Sequence, residues 1–91
     1  MAHVIITFKI MPKDPEQNLD KIAKKVELEI KQFGGNVGRI DKEPVGFGLV
    51  ALKIIFSMNE NLGSTDDMEE KIKEIKGVQG CDVVDVRRAL G

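Results

Sequence analysis

The stretch of sequence that decides the fold is residues 44–56, which read PVGFGLVALKIIF. Its second half is the longest β-type apolar run in the chain. Side chains along a strand point alternately to its two faces, so one face of this run carries only large apolar groups. We expect that face to lie on the core and to be formed by Val50, Leu52, Ile54 and Phe56.

The first half of the same stretch is a turn. Pro44 cannot donate to a strand ladder, so we expect it to close the strand that precedes it. Gly46 and Gly48 flank Phe47 with the two most permissive backbones available. The phenylalanine ring either folds back onto the core or projects as an anchor for another molecule. The residues alone favour a core side chain at the start of the strand.

The chain before this stretch predicts a strand, a helix and a second strand. Residues 3–11 alternate apolar and polar groups, which is typical of a strand with one core face. Asn18 is a suitable N-cap for a helix whose apolar stripe runs to Phe33, and Gly34 is a candidate left-handed residue at its end. Residues 36–43 are polar and charged, which suits an edge strand.

The chain after this stretch predicts a loop, a second helix and a last strand. Residues 58–63 are assigned to the loop, and Ser64 with Asp67 resembles a capping box at the start of the helix. The helix ends at Gly77. We expect the last strand over residues 81–86, with Val84 and Val86 pointing inward and Arg87 and Arg88 following it.

The order strand, helix, strand, strand, helix, strand predicts an α+β fold of the ferredoxin-like type. In this βαββαβ sandwich both helices cover one face of a four-stranded antiparallel sheet. Strands one and three are the most apolar, so we place them in the centre. Residues 1–91 are expected to form a single domain. Its core should bring together Phe8, Val26, Leu52, Ile54 and Ile72.

Composition argues against nucleic-acid and membrane partners. Fourteen basic and 15 acidic residues give a formal net charge of −1, whereas nucleic-acid binders usually carry a basic stripe. No apolar stretch approaches 18 residues, and the N-terminus lacks a signal pattern. Cys81 is the only cysteine, which excludes an internal disulfide. We expect a cytoplasmic protein.

The sequence offers little for covalent chemistry, so we do not expect an enzyme. His3 is the sole histidine, and no catalytic Ser, His and Asp set can be built around it. Cys81 has no second cysteine nearby, and Gly46-Phe47-Gly48 lacks the third glycine of a dinucleotide fingerprint. Neither a metal site nor a cofactor is expected.

Three segments nevertheless resemble one known family. Residues 9–19 (KIMPKDPEQNL), 43–49 (EPVGFGL) and 78–84 (VQGCDVV) are similar to the guanine-nucleotide-exchange domain of the translation elongation factor 1-beta family. The element from Pro44 to Gly48 is the most specific of them. The short chain resembles the archaeal form, whereas eukaryotic relatives carry a further N-terminal region.

The resemblance implies a ferredoxin-like fold and a partner, the GTPase elongation factor 1-alpha, from which the domain releases GDP. It implies that Phe47, between Gly46 and Gly48 and after Pro44, docks in a pocket of that GTPase. A basic residue near the C-terminus reaches toward the magnesium site, and counting from the 78–84 segment places Arg88 there, with Arg87 beside it. With the loop matched, the anchor interpretation of Phe47 is preferred.

This sequence departs from eukaryotic members at three places. An arginine, Arg88, stands where they carry a lysine, and a planar guanidinium is not equivalent to a compact ammonium. Val50 and Ala51 stand where they carry two lysines. The chain also continues past Arg88 through residues 89–91.

The residues alone leave two other functions open. One is a small regulatory or ligand-binding domain of the same topology, with a pocket between two copies; it predicts a dimer, whereas the exchange factor should act as a monomer. The other is RNA binding, which is less favoured because it needs aromatic rings on the open face of strands one and three. The residues expected on that face are His3, Ile5, Thr7, Lys9, Leu49, Ala51, Lys53 and Ile55.

Overall fold

A computed structural model describes residues 3–89 of the chain. It contains four strands, two α-helices and one short 3₁₀ helix. The strands are β1 (His3–Pro12), β2 (Asn36–Gly46), β3 (Leu49–Asn59) and β4 (Val78–Ala89). The helices are α1 (Leu19–Phe33), α2 (Asp66–Lys73) and the 3₁₀ helix Glu60–Leu62.

The strands form one sheet in the order β2-β3-β1-β4, and every neighbouring pair is antiparallel. This is the predicted ferredoxin-like α+β arrangement, with the two most apolar strands in the centre. Every second side chain of β1 and β3 is buried under α1 and α2, from Ile6 to Ile10 and from Leu52 to Met58. The opposite face of the sheet carries no helix within residues 3–89.

The core is one apolar cluster between the sheet and the two helices. Phe8 of β1 and Phe56 of β3 meet edge to face in it, with ring centroids 4.9 Å apart. Such a geometry is favoured by the quadrupoles of the two rings. The predicted core is confirmed, since all five of its residues are buried in this cluster: Phe8, Val26, Leu52, Ile54 and Ile72.

Helix α1 begins and ends where the sequence predicts. The side-chain oxygen of Asn18 accepts a hydrogen bond from the backbone N–H of Lys21 at 3.1 Å. Gly34 ends the helix in the left-handed conformation with φ 108°, and its N–H bonds back to the last turn. Both capping predictions are confirmed.

The start of helix α2 differs from the predicted capping box. Thr65 is the N-cap, and Ser64 Oγ accepts from the N–H of Asp66 at 3.1 Å instead of from Asp67. With Thr65 as the N-cap, Asp67 is the second residue of the helix, whereas the acidic partner of a capping box stands third. Thr65 Oγ1 donates instead to Glu69 Oε2 at 2.8 Å.

Pro44 does not close a strand, because β2 continues through it to Gly46. The sheet order explains why: β2 is an edge strand, and the edge is where a missing backbone N–H is tolerated. The pairing of β2 with β3 becomes irregular between Pro44 and Gly46. Strand β3 is also longer than predicted, because residues assigned to a loop continue it to Asn59 and then form the 3₁₀ helix.

Strand β4 contains the largest error of the sequence prediction. It runs from Val78 to Ala89, and Val84 and Val86 are 48% and 59% exposed instead of buried in the core. A bulge explains the exposure of Val84, since Thr7 pairs with Asp85 while Phe8 pairs with Val83, which leaves Val84 extra. Val86 pairs with the core residue Ile6 and so lies on the predicted face, but it stays exposed on this edge strand. A bulge interrupts strict alternation, so a period of two read along the sequence fails across it.

Candidate functional site

Phe47 lies at the tip of the turn between β2 and β3, and its side chain is 100% exposed. The interpretation of Phe47 as a core side chain, which the residues alone favoured, is therefore wrong, and the ring projects as the anchor interpretation requires. A fully exposed phenylalanine ring buries no apolar surface against its own chain, so it contributes little to the stability of the fold. Its surface is available for another molecule to bury.

The backbone of this turn explains why the ring projects. Gly46, Phe47 and Gly48 have φ values of 103°, 55° and 76°, so three successive residues are in the positive-φ region. Glycine adopts this region without penalty, but a residue with a Cβ atom pays about 1 kcal/mol or more. Phe47 is the one non-glycine residue with positive φ among residues 3–89. Backbone strain of this kind often accompanies a functional position.

The turn rests against the loop that joins β1 to α1. A Cβ atom built on Gly48 would lie 3.7 Å from Pro15 Cγ, which is an ordinary van der Waals distance. Asp14 in turn orders this loop, because its carboxylate accepts from the N–H of Glu16 and from Gln17 Nε2, both at 2.9 Å. Pro15 therefore lies beside the Phe47 turn. The prolines of this segment already signalled the loop in the sequence.

Arg88 is held by a contact that the sequence did not predict. Its Nε and Nη2 donate to the same oxygen of Glu60, Oε2, at 3.0 and 2.7 Å. Glu60 begins the 3₁₀ helix after β3 and is 28 residues away along the chain. No local sequence pattern carries a signal for such a contact.

Arg87 lies next to Arg88 but belongs to the other face of the sheet. Arg88 pairs with Val4 and Arg87 pairs with Ile5, and successive residues of a strand point to opposite faces. Arg87 Nε donates to Asp85 Oδ2 at 3.0 Å, which keeps its side chain along its own strand. Residues 90–91, which follow in the sequence, lie outside the described residues.

The structure does not bring Phe47 and the two arginines together. The turn lies before Leu49, where β3 begins, whereas Val4 and Arg88 are aligned with Met58, near the end of β3. The 11 residues of β3 span roughly 33 Å at about 3.3 Å per residue. The predicted site is therefore two separate positions at opposite ends of the sheet.

The remaining candidates have no visible chemical role in residues 3–89. His3 is exposed at the start of β1. Cys81 is buried on β4, and burial raises the pKa of its thiol to about 12, aided by the nearby carboxylates of Glu69 and Asp82. Within the described residues, no three metal-ligating side chains gather at one place. No helix among them is long and apolar enough to cross a membrane.

Comparison with known proteins places this arrangement in a family. The model of the EF-1 guanine nucleotide exchange domain matches residues 5–89. Elongation factor 1-beta of Methanothermobacter thermautotrophicus is 37% identical over 90 residues, which cover 99% of this chain and all of that protein. Elongation factor 1-beta of Pyrococcus abyssi is 37% identical over 87 residues, covering 94% of each chain.

The chain belongs to the EF-1 guanine nucleotide exchange domain family. Its activity is therefore guanine nucleotide exchange in translation elongation, as the resemblance implied.

Solved structures share the fold across unrelated functions. The de novo designed protein Foldit4 superposes with a TM-score of 0.63 at 17% identity, covering 98% of each chain. The ACT domain of a GTP pyrophosphokinase from Chlorobium tepidum superposes with a TM-score of 0.59 at 14% identity, covering 88% of this chain and 96% of that one. At these identities the likeness shows the ferredoxin-like fold alone.

Proposed function

We propose that this chain promotes the release of GDP from elongation factor 1-alpha by docking Phe47 in a pocket of that GTPase. Residues 1–91 act as a single domain and as a monomer in the cytoplasm, with neither a metal ion nor a cofactor of their own and without direct contact to nucleic acid. The observation that carries the proposal is the fully exposed ring of Phe47 on a turn with three positive φ values, in a member of an exchange-factor family.

Exchange of this kind is a coupling between two binding equilibria. The exchange factor must bind the nucleotide-free GTPase more tightly than the GDP-bound form. In the ternary complex the affinity of the GTPase for GDP must fall by the same ratio. A thousandfold loss of GDP affinity corresponds to roughly 4 kcal/mol of differential binding free energy. Because no covalent bond changes, the factor needs binding groups and no catalytic set.

Phe47 can supply a large part of this binding energy. Aromatic anchors that fill a pocket are among the residues whose truncation costs most in protein interfaces. Gly46 and Gly48 adopt conformations that other residues avoid, and this places the ring at the tip of the turn, where a partner can bury all of it. Pro44, just before the turn on the edge strand β2, restricts the backbone that leads into it.

Arg88 supports the proposal from the other end of the sheet. Its guanidinium keeps its charge at any physiological pH and offers planar N–H donors to carboxylate or phosphate oxygens. We assign it the role of the near-terminal cation that approaches the magnesium site of the GTPase. Arg87 points to the opposite face of the sheet, so we assign it a flanking contact only.

The dependence of binding on nucleotide tests this proposal. Titration calorimetry with elongation factor 1-alpha should show affinity for the nucleotide-free GTPase that is about a thousandfold tighter than for the GTPase with GDP and magnesium. Size-exclusion chromatography with light scattering should show a monomer before binding and a one-to-one complex after it. Equal affinity for both nucleotide states would contradict the proposal, because such a factor cannot shift the exchange equilibrium.

A further inference from the structure

The Arg88 side chain crosses the end of the sheet to reach its partner. Met58 of β3, Val4 of β1 and Arg88 of β4 lie side by side in the register of the three strands. Glu60 lies two residues after Met58, directly behind the last residue of β3, so the guanidinium spans the central strand β1 to reach the carboxylate. Glu60 thereby fixes the direction in which a long and flexible side chain points.

The contact leaves the guanidinium able to bind something else. An arginine has five N–H donors, and this geometry directs Nε and one N–H of Nη2 to a single oxygen of Glu60. The three other N–H groups lie on the outer edges of the guanidinium plane. A carboxylate or phosphate oxygen can be bound there while the contact with Glu60 is kept.

We propose that Glu60 is a positioning residue for Arg88 and holds its guanidinium in the orientation that engages the GTPase. This inference rests on the proposed function. An unrestrained arginine loses rotational freedom about several side-chain bonds when it binds. A carboxylate that orders the side chain beforehand reduces this loss of conformational entropy. Glu60 acts only through Arg88 and needs no contact with the partner.

The same ion pair would change the exchange rate in the opposite direction if Glu60 masked Arg88 instead of positioning it. If Glu60 masked the charge of Arg88, its removal would free the cation and speed exchange. If Glu60 positions Arg88, its removal slows exchange. The sign of the change therefore distinguishes the two.

A double-mutant cycle on the full chain tests the inference. The release of a fluorescent GDP analogue from elongation factor 1-alpha is measured for the wild type, Glu60→Gln, Arg88→Ala and the double variant. Glu60→Gln should lower the limiting release rate about 3- to 10-fold and change the half-saturating concentration less than twofold. In the Arg88→Ala background Glu60→Gln should have no further effect, because the pair acts as a unit.

Asp41→Asn is the matched control. It breaks the Arg39–Asp41 ion pair of 2.9 Å on β2 with the same loss of one charge, and it should leave the release rate unchanged. Far-UV circular dichroism and the melting temperature establish that Glu60→Gln, a nearly isosteric change at a half-exposed residue, is folded.

Three results would overturn the inference. The first is a Glu60→Gln variant that is as fast as the wild type or faster, and the second is a Glu60→Gln effect that persists without Arg88. If either of these results is found while the wild-type chain still accelerates release, the inference is wrong but the proposed function is unaffected. The third is a wild-type chain that does not accelerate release at all, which removes the proposed function and this inference together.

Discussion

Phe47 and Arg88 lie at opposite ends of the sheet, separated by roughly 33 Å along β3 and placed on either side of its two central strands. A partner that touches both must present two regions at least this far apart. Because the two positions share no neighbours, their contributions to binding should add within about 0.5 kcal/mol. The sheet then works as a rigid spacer between an apolar anchor and a cation.

Replacing Phe47 by alanine should separate binding from stability. The ring is fully exposed, so its loss should change the free energy of unfolding by less than about 0.5 kcal/mol. The loss of an aromatic hot spot costs about 2–4 kcal/mol, so the half-saturating concentration for exchange should rise roughly 30- to 1,000-fold. Urea unfolding and titration of the exchange rate measure the two quantities.

Leu28→Ala is the control for this prediction. Leu28 is 57% exposed on α1 and should tolerate truncation with normal exchange. A Phe47→Ala variant that unfolds easily but exchanges at the normal rate would show that Phe47 stabilises the fold and does not dock.

Gly48→Ala tests the shape of the turn without touching the ring. At φ 76° an alanine is strained even though Pro15 leaves room for its Cβ atom, so unfolding should become easier by about 1 kcal/mol. The turn should shift and weaken binding. Gly38→Ala is the matched control, because Gly38 lies outside the positive-φ region and a Cβ atom there would meet Ile55 O at an ordinary 3.6 Å. Equal effects of the two substitutions would contradict a role for the left-handed turn.

Arg88→Ala and Arg87→Ala should differ, although the two residues are neighbours. Arg88→Ala should lower the limiting rate of GDP release about 10-fold or more and change the half-saturating concentration little, because its charge acts where magnesium leaves. Arg87→Ala should change both quantities less than twofold, because Arg87 lies on the other face of the sheet with Asp85. Stopped-flow release at several exchanger concentrations separates rate from affinity. A larger effect for Arg87 would reverse the assignment.

The buried thiol of Cys81 should make stability fall at alkaline pH. Its pKa is about 12 in the folded chain, against an ordinary value of 9.0. Above pH 9 the unfolded thiol ionises while the folded one keeps its proton, so the unfolded state is favoured as the pH rises toward 12. Between pH 8 and pH 10 this group should cost about 1 kcal/mol of stability.

Cys81→Ala isolates this effect from the lysines that titrate in the same range. The difference in urea midpoint between the wild type and the variant should shrink as the pH rises from 8 to 10. A difference independent of pH would show that the thiol ionises equally in both states.

Most of the fold was predictable because its central elements obey simple periodicity. Burial alternates along β1 from Ile6 and along β3 from Leu52, and the sequence supplies both caps of helix α1 as Asn18 and Gly34. The errors in strand pairing lie on the two edge strands. Pro44 within β2 and the bulge at Val84 in β4 are both tolerated because an edge strand has only one partner to satisfy.

The candidate site was predictable only in part, for a physical reason. The residues around Phe47 favoured a core position, and only the family resemblance pointed to its exposed position. The contact of Arg88 with Glu60 joins residues 28 positions apart and depends on the strand order, so no local pattern contains it. Alternation along β4 places Arg87 and Arg88 on opposite faces, but it does not contain the bulge that decides which face each of them takes.

The most direct test of the central claim is the release of a fluorescent GDP analogue from purified elongation factor 1-alpha, followed by stopped flow with this chain at micromolar concentration. The wild-type chain should accelerate release by orders of magnitude, and Phe47→Ala at the same concentration should lose most of this acceleration. Release at the spontaneous rate in the presence of the folded wild-type chain would show that the chain is not an exchange factor for this GTPase.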